Sequence, residues 1–143
     1  MTFKYQSELA AISQNGSTCP PQTAHEANLT AWRWVFSPIS EAHFLPQARK
    51  NPARLNKAKD VEEKCSCWGI SMHDTKEKSI TAFKRVECSF RKARKVLGTH
   101  VAKAEITPDH GVCTPSNEVG HFDFHPYKNI KMSDSFFIDG PIP

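Results

Sequence analysis

The chain has no apolar run near the roughly 18 residues a membrane span needs. Its first twenty residues also lack the basic, apolar and small-residue order of a secretory leader. These two absences predict a cytoplasmic protein with no membrane partner. Glycine signatures are missing too: there is no Gly-x-Ser-x-Gly elbow, no phosphate loop and no Gly-x-Gly-x-x-Gly, so hydrolase, nucleoside triphosphatase and dinucleotide folds receive no motif support. The five cysteines (Cys19, Cys65, Cys67, Cys88, Cys113) are odd in number and irregular in spacing, which predicts reduced thiols rather than a disulfide framework. Cys65-x-Cys67 lacks the two to four intervening residues of a zinc knuckle. Neither an internal repeat nor a low-complexity block is present.

What remains is enough for one domain, 1–143, with a real core: 143 residues, 38% hydrophobic, mean hydropathy −0.53. The net charge of +4 is unevenly spread. Residues 43–103 carry 15 of the 19 Lys and Arg but 6 of the 15 acids, a balance of +9, against −5 for the rest. A basic middle favours phosphate-bearing partners through electrostatic steering.

Along the chain, 1–28 is polar and partly irregular, with one helical turn suggested by Leu9-Ala10-Ala11-Ile12. Trp32, Trp34 and Phe36 fall two apart, the period of a strand, and predict a buried aromatic sheet face that ends at Ser37-Pro38. Residues 46–63, with Pro46, Pro52 and many charges, read as a long basic loop, either a flap or partly disordered. Cys65 to Met72 reads as a second strand, with Trp68, Ile70 and Met72 on one face and small residues on the other. Asp74, with Glu77 three residues on, predicts the start of a long amphipathic helix. Its apolar stripe is Ile80, Phe83, Val86, Phe90, Ala93 and Leu97, closed by Gly98. Thr99–Thr107, a Pro108-Asp109-His110-Gly111 turn and Val112–Thr114 read as a hairpin, followed by strands at 120–125 and 135–138. The sum is an α+β fold: a mostly antiparallel sheet of five or six strands packed against one long amphipathic helix.

The densest chemistry is His121-Phe122-Asp123-Phe124-His125. In a strand, alternate side chains leave on opposite faces, so both imidazoles and the carboxylate share one face while two phenyl rings bury the other. This trio is the candidate catalytic set, with His121 or His125 as acid or base and Asp123 fixing an imidazole tautomer. Two of the three with an outside ligand could hold zinc, but three neighbours on one strand seldom reach one ion, so metal content stays open. Arg33, Ser71 and His73 are the candidate ligand-binding residues, Arg33 because a guanidinium amid aromatics needs an anion or solvent. The predicted function is binding, with catalysis undecided, of a small anionic ligand of phosphate or nucleotide type in a His/Asp/Arg-lined pocket, with the 46–63 segment as its cover. The alternative is a non-enzymatic nucleic-acid or protein-binding module acting through Arg85, Arg91, Lys92, Arg94 and Lys95.

An Arg-bearing strand, a Ser-containing strand leading into a helix and then hairpins is similar in order to the ground plan of small ADP-ribosyltransferase domains. The Ser-Thr-Ser run and the late Glu-x-Glu or Gln-x-Glu pair of those enzymes are both absent, so membership is not assigned. No cofactor or oligomeric state follows from the residues.

Overall fold

The computed structural model describes every residue except Met1 and Asn15. Among the described residues the chain is α+β, with six α-helices and a six-stranded, wholly antiparallel sheet. The strands are β1 (Leu29–Val35), β2 (Ile70–His73), β3 (His100–Ile106), β4 (Gly111–Cys113), β5 (His121–Pro126) and β6 (Phe137–Pro141), in the order β4-β5-β2-β1-β3-β6. The sheet is curled, and its connectivity requires this. Four-residue Thr107–His110 joins β3 to β4, which lie four positions apart in the order, a distance of about 19 Å if the strands were laid flat. The link itself is turned back, with the His110 amide donating to the Thr107 carbonyl at 3.0 Å, so only a curled sheet brings its ends together.

The concave side of the curl holds the main core. Ala31 and Val35 of β1, Ile70 and Met72 of β2, Ala102, Ala104 and Ile106 of β3, and Phe122 and Phe124 of β5 point into it with Phe44, Met132 and Phe136. The period of two is obeyed on every strand. For β1 this reverses the sequence expectation: the inward residues are the small ones, and Trp32 and Trp34 sit half-buried on the outer face. Each face of β1 is covered, so the larger aromatics go where there is a helix to meet them.

That helix is α5 (Lys76–Ser89). Phe83 meets Trp34 edge-on at 5.1 Å, and the Trp34 indole N–H donates to the Ser79 carbonyl at 3.0 Å. The single long helix expected from the apolar stripe is not formed. α5 stops at Phe90, whose backbone is extended, and a separate turn, α6 (Ala93–Val96), follows. The break puts Ala93 into the cluster with Phe83, Val101 and Ile142 and returns Arg94 to Glu87, at 2.5 Å. The start also differs by a residue from the expected Asp74 cap. Thr75 is the cap, its hydroxyl accepting from the Lys78 amide at 3.1 Å.

Further expectations give way. Residues 46–63 are not a loop but contain α2 (Gln47–Lys50), α3 (Pro52–Asn56) and the start of α4 (Val61–Trp68), and α4 also replaces the first half of the expected Cys65–Met72 strand. Asp60 caps α4 by accepting from the Glu63 amide at 2.9 Å. The expected hairpin has its turn but not its pairing, since β4 pairs with β5 and β3 with β1 and β6. The predicted helical turn near Leu9 is α1 (Gln6–Ile12), which buries Leu9 against Trp68, Ala48 and a disulfide between Cys19 and Cys65. That bond corrects the expectation of five reduced thiols; Cys67, Cys88 and Cys113 are free. A disulfide is uncommon in a reducing compartment, so it speaks against the expected cytoplasmic setting. None of the helices is long and apolar enough to cross a membrane among the described residues.

Candidate functional site

β5 lies between β4 and β2, pairing Ser71 with Asp123 and His73 with His121. Its phenyl rings enter the concave core, so His121, Asp123 and His125 face the outer side. There α4, the 16–23 segment and the 114–117 loop stand around β5 without meeting over it, and a cleft of about 630 Å³ remains. His121, Asp123 and His125 line it together with Cys65 and Ser66 of α4, Thr18, Gln22, Thr114 and Asn117. The loop is fixed by its own side chains. The Thr114 hydroxyl accepts from the Asp123 amide at 2.9 Å, and the Asn117 side-chain carbonyl accepts from the His121 amide at 3.0 Å.

The three polar groups differ in environment. His125 is 2% exposed, and burial pushes its imidazole down to about 4, so it is neutral near pH 7. Its Nε2 lies 4.0 Å from Cys65 Sγ. Burial raises the Asp123 carboxyl above the ordinary carboxylate range, opposed by the Ser66 hydroxyl and by His121. His121 is the accessible member. Its Nε2 is 2.5 Å from the Ser71 hydroxyl and 3.8 Å from Asp123 Oδ1. The first distance is a strong hydrogen bond and the second is too long for one, so Ser71, not Asp123, orients this ring.

Gly69 makes the arrangement possible. A Cβ there would lie 2.8 Å from Asp123 Cβ and 3.3 Å from His125 Cε1, so only the absence of a side chain lets the α4–β2 junction approach β5 this closely.

The sequence candidates divide between two faces. Ser71 and His73 share the outer face with the trio, but only His121, Asp123 and His125 line the cleft. His73 is 6% exposed, its ring 5.7 Å from both Trp34 and His121. Burial, then the neighbouring His121, pushes it down to about 4. Arg33 is on the other side. Its guanidinium lies over the Phe44 ring, donates from Nε and Nη2 to the His43 carbonyl at 3.0 and 2.9 Å, and from Nη1 to the Ser71 carbonyl at 2.6 Å. Burial pulls it down to about 10. β1 alternation explains the separation: with Trp32 and Trp34 outward, Arg33 must point inward. It pins the Glu41–Phe44 turn to β2 and does not reach the cleft. Of the 46–63 segment, only Val61 and Glu62 line the cleft; α2 and α3 contribute Ala48 and Leu55 to the cluster around Trp68.

Cys65, Ser66, Thr114 and the 16–23 wall were not among the sequence candidates. Pro115 and Asn117, turn formers just before β5, were the available signal for the loop; nothing local marked Thr18 or Cys65. Among the described residues no three His, Cys, Asp or Glu side chains are grouped so as to hold a metal ion. On the basic stretch, Arg85, Arg91, Lys92 and Lys95 are exposed, while Arg94 is held by Glu87 and by the Ile142 carbonyl.

No family model, curated protein or solved structure matches the chain.

Proposed function

We propose that the cleft over β5 binds a small polar ligand and that His121, hydrogen-bonded to Ser71, moves a proton on it. The observation that carries this reading is the geometry of β5 itself: two phenyl rings anchor the strand from behind while its polar side chains line a cleft of ligand size. The 2.5 Å contact lets the imidazole take the Ser71 proton when neutral or share its own when charged. Hydroxyl and amide groups from Thr18, Gln22, Ser66, Thr114 and Asn117 supply neutral donors and acceptors. The charged lining is Asp123 and Glu62, with no Lys or Arg. An anion of phosphate type would therefore rest on protonated His121 alone, and the lining favours an uncharged or cationic polar ligand over the anionic class that the basic middle of the sequence suggested.

A second reading, nucleic-acid or protein binding through Arg85, Arg91, Lys92 and Lys95, is supported by the exposure of all four and by the absence of an acidic partner for any of them among the described residues. One experiment separates the two. Amide chemical shifts are followed while inorganic phosphate, a set of neutral sugars and nucleosides, and a 20-nucleotide single strand are titrated in turn. The cleft reading expects shifts at Thr114, Asn117 and His121 with a neutral probe, abolished by His121→Ala. Shifts confined to α5 and α6 with the oligonucleotide, and none over the cleft with any small probe, overturn it.

A further inference from the structure

The disulfide joins two walls of the cleft. Cys65 belongs to α4 and lines the cavity, and Cys19 lies within the 16–23 wall between Thr18 and Pro21, which line it as well. The same Cys65 sulfur lies 4.0 Å from His125 Nε2. One sulfur atom therefore has two partners, a cysteine that makes it unreactive and an imidazole that could make it reactive. We propose that the Cys19–Cys65 bond masks a Cys65–His125 pair, and that a dithiol reductant converts the cleft from a thiol-free site into one carrying a nucleophilic sulfur.

The exchange balances without help from the protein. A thiolate of the reductant, entering through the cleft, attacks Cys65 Sγ; the S–S bond breaks, and Cys19 leaves as a thiolate that takes a proton from solvent. The mixed disulfide on Cys65 is then resolved by the second thiol of the reductant. This releases the oxidised reductant and leaves Cys65 as a thiol, so two electrons and two protons have passed to the two cysteines. Proton transfer from Cys65 Sγ to His125 Nε2 then makes a thiolate beside an imidazolium. Their attraction at this distance, at a buried edge of the cleft, offsets the burial that disfavours either charge alone. Asp123 and Glu62, the carboxylates of the same cleft, oppose the thiolate and favour the imidazolium.

The wall is built to respond. Among the described residues the 13–24 segment is fastened beyond the disulfide by its own Gln14–Ser17 bridge, by the Ser13 hydroxyl accepting from the Cys19 amide at 3.0 Å, and at its far end by His25, which exchanges hydrogen bonds with Cys113 at 3.0 and 2.8 Å. Breaking the bond frees the wall between these ends and opens Cys65, now 3% exposed, more widely to the cleft that it lines. Cys67, half-buried two residues on, is no substitute: burial raises its thiol, and Asp123 and Glu63 raise it further against the opposing charge of Arg54.

The inference uses the cleft's geometry but not its ligand, so it can fail while the proposed function stands. The test is iodoacetamide labelling of the full chain at neutral pH, read residue by residue by mass spectrometry before and after treatment with dithiothreitol. Exposed Cys88 and buried Cys113 serve as internal references. Before reduction Cys65 is unlabelled. After reduction it is labelled at least as fast as Cys88 and at least tenfold faster than Cys113, and His125→Gln slows Cys65 at least tenfold with Cys88 unchanged. Labelling of Cys65 before reduction overturns the proposal, as does a Cys65 rate no higher than that of Cys113 or one indifferent to His125→Gln. If the variant unfolds, which rapid labelling of Cys113 would reveal, the ratio of Cys65 to Cys88 in the unaltered protein decides alone.

Discussion

The outer face of the sheet has two covers, and they do opposite things. Over β1 and β3, α5 fills the space: Trp34, Phe83, Val101 and Ile142 pack into one cluster, with buried His73 and Ser79 as the polar residues beside it. Over β5, α4 and the N-terminal segment bring their apolar residues to one another instead, with Leu9, Trp68, Ala48 and the disulfide forming a separate cluster, and β5 is left facing a cleft. The difference shows that a cover makes a core when its apolar stripe faces the sheet and makes a site when the stripe is turned aside. The polar alternation of β5 is tolerable only under the second kind of cover.

The largest effect that would test this contrast is acid sensitivity. His73 under the filled cover and His125 under the open one both titrate near 4 in the fold, against an ordinary value of 6.5. Between these values the unfolded chain binds protons that the fold refuses, so the contribution of these two rings to stability is lost as pH drops from about 6.5 to about 4. His125 accounts for about 3 kcal/mol over that window, and His73, more open to solvent screening, for less. Asp123, shifted upward, acts with the opposite sign, its contribution being lost as pH rises through its folded value. Urea unfolding measured at several pH values should lose part of its slope in His73→Gln and part in His125→Gln. Equal slopes in all three proteins would show that neither ring is held neutral by its cover.

Next in size, Phe83→Ala removes a ring with no exposure and should cost about 3–5 kcal/mol in denaturant midpoint analysis, without altering probe binding in the cleft. Leu9→Ala should cost about 2–4 kcal/mol. Because Leu9 anchors the segment that walls the cleft, this substitution should also weaken binding of any probe that shifts Thr114 and Asn117. If it destabilised the fold without touching the cleft, the two covers would not be separable in the way described. The smallest effect is that of Gly69→Ala, about 1–3 kcal/mol from a Cβ forced against Asp123, with a measurable displacement of the His125 ring signals.

Where local pattern and tertiary demand agreed, the residues were readable in advance. β5 is the clearest case: Phe122 and Phe124 in the core and the polar trio opposite follow from alternation alone, whatever the neighbours. α5 was legible in its middle, where Ile80 and Phe83 recur at helical spacing, but not at its end. Phe90 and Leu97 continue the stripe, and only the need to seat Ala93 beside Val101 and return Arg94 to Glu87 ends it. The end of α4 resembles strand in the sequence because Trp68, Ile70 and Met72 alternate; Trp68 belongs to the helix, and the apparent period of two crosses a helix–strand junction at Gly69.

The sequence by itself determined the α+β class, the alternation of β5 and the basic character of the middle, because each depends on residue order over a few positions. Tertiary structure alone decided which face of β1 met a helix, and hence that Arg33 turned away from His121. It also decided that Cys19 met Cys65 across 46 residues and that a cleft, not a core, formed over β5. The reason is physical: a strand's period says which side chains travel together, but only packing against distant segments says what they travel toward.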